Sequence, residues 1–112
     1  MNSEFFIMVE KITELNSENF DSFIENENCV IDFYADWCGP CKILAPEFEK
    51  ASESLENVKF GKVNIDGNQE LAGRFQVMSI PIILFFKDKE QVDRHNGLLS
   101  SEDIKKKAES NF

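Results

Sequence analysis

Apolar positions along this chain switch between two spacings. Short runs are continuous or alternating and longer ones recur every three or four residues, which predicts strands alternating with helices. Residues 5–12 read as a first strand. Residues 17–27 carry Phe20, Phe23 and Ile24 at helical spacing, with Asn16 or Ser17 placed to cap them. The stretch CVIDFYA, residues 29–35, is almost uninterrupted in apolar character, as a strand covered on both faces should be. Leu44, Phe48, Ala51 and Leu55 recur at steps of four, three and four, giving a helix from about Gly39 to Ser54 with one buried face.

Lys59–Asn64 reads as a third strand, and residues 68–75 as a short helix carrying Leu71, Ala72 and Phe75. Ile82–Lys87 and residues 91–96 flank Asp88-Lys89 as a hairpin. Ser100-Ser101-Glu102-Asp103 resembles a capping box that opens a last helix with Ile104, Ala108 and Phe112 inward. The order is βαβαβα followed by ββα. It implies an α/β fold, a central and partly parallel sheet with helices on both faces.

Composition narrows the function classes. A chain of 112 residues fits one domain and can bury a core without metals or several disulfides. A net charge of −9 argues against nucleic acid, which selects a basic face, while favouring solubility and steering toward basic partners. The only basic run, Lys105–Lys107, is expected to coat a solvated helix face. The apolar stretch PIILFF falls far short of the roughly 20 residues that span a bilayer, so no membrane role is expected. The start MNSEFFIMVEK lacks a basic n-region and a small-residue cleavage site, which predicts a cytoplasmic location. Met8 would make a natural beginning, so residues 1–7 are expected to be a short extension or non-native remnant and 8–112 the domain.

The candidate chemistry lies in DWCGPCK, residues 36–42. Two cysteines two residues apart suit half a zinc site, a structural staple or a reversible dithiol. Cys29, Cys38, Cys41 and His95 form a nominal zinc set. However, Cys29 and Ala35 lie at opposite ends of one predicted strand, roughly 20 Å apart at about 3.3 Å per residue. Cys29 therefore shares neither a metal nor a bridge with Cys38, and reads as a small buried hydrophobe. His95 reads as a surface residue at a strand end. A staple across so short a loop removes little chain entropy.

Reversible redox chemistry fits the placement, where a buried strand turns into a helix. Cys38 precedes the first helical turn, facing free N–H groups and the positive end of the helix dipole, which favours thiolate and makes it the nucleophile. Cys41, one turn on and directed inward, is the resolving thiol. Gly39-Pro40 stiffens the first turn without supplying a charge or, at Pro40, an N–H to hold the thiolate, which points to a reductant.

WCGPCK after a VIDFYA strand resembles the thioredoxin family, over about Met8 to Phe112. The resemblance implies a thioredoxin fold with strand order 1-3-2-4-5, the last two strands antiparallel to the rest, and four flanking helices. It also implies a protein-disulfide reductase with no bound cofactor beyond a redox-active Cys38–Cys41 disulfide. The implied partners are a thioredoxin reductase and disulfide-containing client proteins, met as a monomer. Asp32 matches the family's buried aspartate. It stands in the middle of an apolar strand, where burial raises a carboxyl's pKa and suits it to accept the Cys41 proton. Lys62 matches the lysine facing it. Ile80-Pro81 matches the family's cis-proline segment, and Trp37, Ile80 and Gly97 match positions around the substrate groove.

The chain departs from the family pattern at Ser79 (often glycine), Ile82 (usually threonine), Asp88-Lys89 (an Asn-Gly type of turn) and Asn96 (an apolar groove residue). Ser79 and Asn96 bear on partner preference. Two other readings remain at this level: an adaptor that uses the groove without redox cycling, and an exported oxidase or isomerase. A Cys38→Ser variant separates the first from a catalyst, and the reduction potential separates the second from a reductase.

Overall fold

The computed structural model describes residues 11–112. The expected strand at 5–12 and the extension at 1–7 therefore fall mostly or wholly outside the described residues. The elements are β1 (Ile12–Glu14), α1 (Phe20–Ile24), β2 (Asn28–Tyr34), α2 (Gly39–Ser54), β3 (Lys59–Asn64), a 3₁₀ turn (Ile65–Gly67), α3 (Gln69–Arg74), β4 (Ile82–Lys87), β5 (Glu90–Asn96) and α4 (Ser101–Asn111).

The five strands form one mixed sheet in the expected order β1-β3-β2-β4-β5. β2 lies at its centre, parallel to β3 and antiparallel to β4. One expectation is corrected here. β5 is antiparallel to β4 and so returns to the direction of β2, leaving β4 alone reversed. A two-residue hairpin necessarily turns the second strand back on the first.

Successive β2 side chains serve opposite layers. Cys29, Ile31 and Phe33 pack with Phe20, Phe23 and Ile24 of α1 and Leu71 of α3. Val30 packs on the other face with Leu44, Phe48 and Ala51 of α2 and Ile104 and Ala108 of α4. This double cover is why the strand reads as an unbroken apolar run. Cys29 is fully buried, and its Sγ lies 3.5 Å from the Phe23 carbonyl oxygen. Burial pushes its thiol up to about 11.

Local differences from the periodicity have identifiable causes. α1 is shorter than residues 17–27 because Asn16 accepts hydrogen bonds from the backbone of Glu18 and Asn19, at 2.8 and 3.1 Å, and holds a turn there. Its far end stops where Glu25 becomes extended and Asn26 takes φ 58°. α2 continues through Pro46 as one helix. At α4, Ser100 Oγ accepts from Asp103 N at 3.1 Å, and Glu47 of α2 accepts from Ser101 N at 2.9 Å. The capping is thus partly tertiary. Lys107, expected in a solvated run, instead pairs with Asp93 of β5 at 2.9 Å.

Candidate functional site

The junction between β2 and α2 builds the site. Cys38 is the N-cap of α2 with extended backbone, φ −89° and ψ 115°, and Gly39-Pro40 form the first helical positions. Proline is tolerated there because its missing N–H has no intrahelical partner to lose. The Cys41 backbone N–H points at Cys38 Sγ, 3.2 Å away. Cys38 and Cys41 are joined as a disulfide with Cα atoms 5.3 Å apart. Each cysteine is only 5% exposed, so in this oxidised form Cys41 is no more covered than Cys38. The difference between them is that Cys38 Sγ receives the helix N–H.

A second loop closes over the pair. Cys38 Sγ lies 3.9 Å from the Ile80 carbonyl oxygen, and the Ile80-Pro81 bond is cis, as the resemblance implied. Gly97, at φ 98°, donates its N–H to the Pro81 carbonyl at 2.9 Å and ties the end of β5 to this segment. The positive φ suits glycine. A Cβ on Gly39 would meet nothing within 4 Å, so no neighbour in the chain demands glycine at that position.

Trp37 is 67% exposed, so its ring lies on the surface beside the cysteines rather than in the core. Its Nε1 donates to Asp66 Oδ2 at 2.9 Å, and Asp66 is itself held by the Asn64 side chain, which accepts from its backbone N–H at 3.0 Å. Beside Trp37 runs a groove of about 290 Å³ lined by Ile65, Val77, Met78, Ser79 and Ile80. Met78 is 92% exposed there.

Asp32 lies on the α2 face of the sheet, between Val30 and Tyr34 along β2. It is 5% exposed, and its Oδ1 has no hydrogen-bond partner among the described residues. Burial pushes its carboxyl up to about 7, with the Lys62 charge pulling partly the other way. Lys62 is its register partner on β3, and its ammonium sits 3.8 Å from Glu14 of β1. Tyr34 OH donates to both Glu14 carboxylate oxygens at 3.1 Å.

The site thus gathers Cys38, Cys41, Gly39, Pro40, Trp37, Ile80, Pro81 and Gly97 at one end of the sheet, with Asp32 and Lys62 on the sheet face beneath α2. His95 stands apart, with Nε2 3.1 Å from the Leu98 carbonyl oxygen. Among the described residues no three His, Cys, Asp or Glu side chains are grouped to hold a metal, and no helix is long and apolar enough to cross a membrane. Sequence reasoning missed Glu14 and Asp66. Each is one acidic residue among many, and only strand pairing or loop packing singles it out.

Comparison with known proteins agrees with this geometry. A family model described as Thioredoxin matches residues 11–110. A thioredoxin of Chlamydia pneumoniae is 46% identical over 88 residues, covering 79% of this chain and 86% of that protein. A thioredoxin of Staphylococcus saprophyticus is 37% identical over 94 residues, covering 83% and 90%. Among solved structures, a mutant thioredoxin from Halobacterium salinarum superposes with a TM-score of 0.84 at 33% identity, over 91% of each chain.

Proposed function

The chain belongs to the thioredoxin family of thiol–disulfide oxidoreductases, and on that premise we propose that it works as a cytoplasmic reductant in which Cys38 attacks and Cys41 resolves. The Cys38 thiolate attacks one sulfur of a client disulfide, forming a mixed disulfide and releasing the other client sulfur as a thiolate. Cys41, deprotonated by Asp32, then attacks Cys38 Sγ. The Cys38–Cys41 disulfide forms, and the second client thiolate leaves. The client gains two electrons and the cysteine pair loses two, which a thioredoxin reductase restores.

The observation that carries the assignment of roles is the Cys41 N–H at 3.2 Å from Cys38 Sγ, at the start of a 16-residue helix. A hydrogen bond and a helix dipole aimed at one sulfur favour its thiolate and make it the better nucleophile. Pro40 adds no charge or donor to hold that thiolate further, which favours a reducing pair. The open space at Gly39 leaves room for an approaching client. The client chain lies in extended form along the groove of Trp37, Ile80, Pro81 and Gly97, pairing with the Ile80 backbone. Lys62 tunes the Asp32 proton affinity. The only described cysteine outside the pair, Cys29, is buried and unbridged, in keeping with a reducing compartment.

The test is reduction of insulin-type disulfides, coupled to candidate thioredoxin reductases. Turnover should vanish in Cys38→Ser, and Cys41→Ser should accumulate a mixed disulfide through Cys38. Turnover that survives in Cys38→Ser would sink the proposal.

A further inference from the structure

Two residues that depart from the family pattern meet in space. Asn96 Nδ2 donates to Ser79 Oγ at 3.1 Å, across 17 residues of sequence. Ser79 directly precedes Ile80, whose carbonyl oxygen is 3.9 Å from Cys38 Sγ. Asn96 directly precedes Gly97, whose N–H is bonded to Pro81. The pair therefore bridges the two strands of backbone that frame the cysteines, and both residues are exposed.

The bond uses only part of their capacity. An asparagine amide carries two donor hydrogens and an acceptor oxygen, and a serine hydroxyl carries one donor hydrogen. Asn96 Oδ1, its second N–H and the Ser79 hydroxyl hydrogen have no other partner among the described residues. They present one acceptor and two donors beside a groove whose other lining side chains, Trp37, Ile65, Val77, Met78 and Ile80, are largely apolar.

We propose that Ser79 and Asn96 form a specificity element that selects client disulfides carrying a carboxamide side chain, glutamine or asparagine, beside the attacked cysteine. This rests on the client-binding groove proposed above. A carboxamide both donates and accepts, so it can satisfy Asn96 Oδ1 and a neighbouring donor together. A carboxylate could take the two donors but would leave Asn96 Oδ1 facing a second acceptor, and it would add a negative charge beside a chain of net charge −9. An ammonium could donate to Asn96 Oδ1 but would leave the two donors facing a group that cannot accept. An apolar side chain laid over the pair would strip its water and return no hydrogen bond, which is where binding sites discriminate most strongly. In an extended client, alternate residues point to one side, so only some flanking positions can reach the pair.

The experiment is single-turnover reduction of peptide disulfides by the fully reduced chain. Glutamine or leucine is placed in turn at each of the two positions on either side of the reactive cysteine. At one position or more, glutamine should be reduced about 5- to 10-fold faster, the range of one good hydrogen bond. Asn96→Leu should bring that ratio to about 1. Ser79→Gly should reduce it in part, and the double variant should be no worse than Asn96→Leu, since the two residues act as one unit. Asn96→Asp, nearly identical in size, should shift the preference from glutamine to lysine. A wild-type ratio near 1 at every position, or a ratio retained in Asn96→Leu, overturns the proposal. Failure to reduce either peptide overturns the reductase reading itself, and this inference with it.

Discussion

Asp32 and Lys62 are register partners on adjacent parallel strands, yet the Lys62 ammonium closes on Glu14, 3.8 Å away on the next strand. The buried carboxyl is left with an unpartnered Oδ1 and only a partial counter-charge. Burial alone would favour the neutral acid; a direct ion pair would hold the carboxylate and abolish its use as a base. The triad of Asp32, Lys62 and Glu14 sits between these limits. Its first consequence is for stability.

The folded Asp32 has its pKa raised to about 7 from an ordinary 3.8. Between these values the folded state binds the proton more tightly than the unfolded chain. The stability this group contributes is therefore full below about pH 4 and is lost as pH rises through about 7. The loss amounts to about 4 kcal/mol. Asp32→Asn should remove this slope. Urea unfolding should then show the variant gaining on wild type between pH 5 and pH 8; parallel curves would contradict a buried, titrating Asp32.

The same variant should separate the two chemical steps. Resolution by Cys41 should slow about tenfold or more at pH 6–7, where no internal base takes its proton. The first attack by Cys38 should change much less. Raising the pH to about 9 should restore most of the deficit. Mixed-disulfide accumulation in single turnovers reads this directly, and unchanged resolution at pH 6–7 would remove Asp32 from the mechanism.

Glu14→Gln should act on Asp32 at a distance. It removes the carboxylate that holds Lys62 and frees the ammonium from its 3.8 Å contact. A freed Lys62 favours the Asp32 carboxylate, so the pH midpoint of the resolving step should move down. An upward shift, or none, would show that Lys62 does not govern Asp32.

The β4–β5 hairpin turns through Asp88 and Lys89 at φ 48° and 76°, the two positive values that a type I′ turn requires. Lysine is a poor residue there, and Lys89→Gly should stabilise the fold by about 1 kcal/mol in chemical denaturation. The 3.6 Å contact of Lys89 with Glu25 is exposed and offsets little of this. A destabilised variant would mean that the side-chain contact with Glu25 outweighs the relief of backbone strain.

Removing residues 1–7 should leave disulfide reduction nearly intact, since the match to the family begins at residue 11. Insulin-type reduction by the shortened chain checks this. A tenfold loss would place those residues in the working domain.

The sequence by itself determined the layered α/β architecture, the redox pair and the odd standing of Asp32. These depend on local chemistry: β2 reads as unbroken apolar sequence because helices cover both faces, and WCGPC sits where a strand becomes a helix. The short α1 was not legible, because side-chain turns at Asn16 compete with helix at equal apolar spacing. The direction of β5 was legible in the hairpin itself, which imposes the sense opposite to the one the resemblance implied. Only the tertiary structure decided that Lys62 answers to Glu14, that Trp37 is held by Asp66, and that Ser79 and Asn96 meet. Each is a contact between surface polar residues far apart in sequence. Many such residues are chemically equivalent along the chain, and only the packing of the sheet and its loops selects which two come within hydrogen-bonding distance.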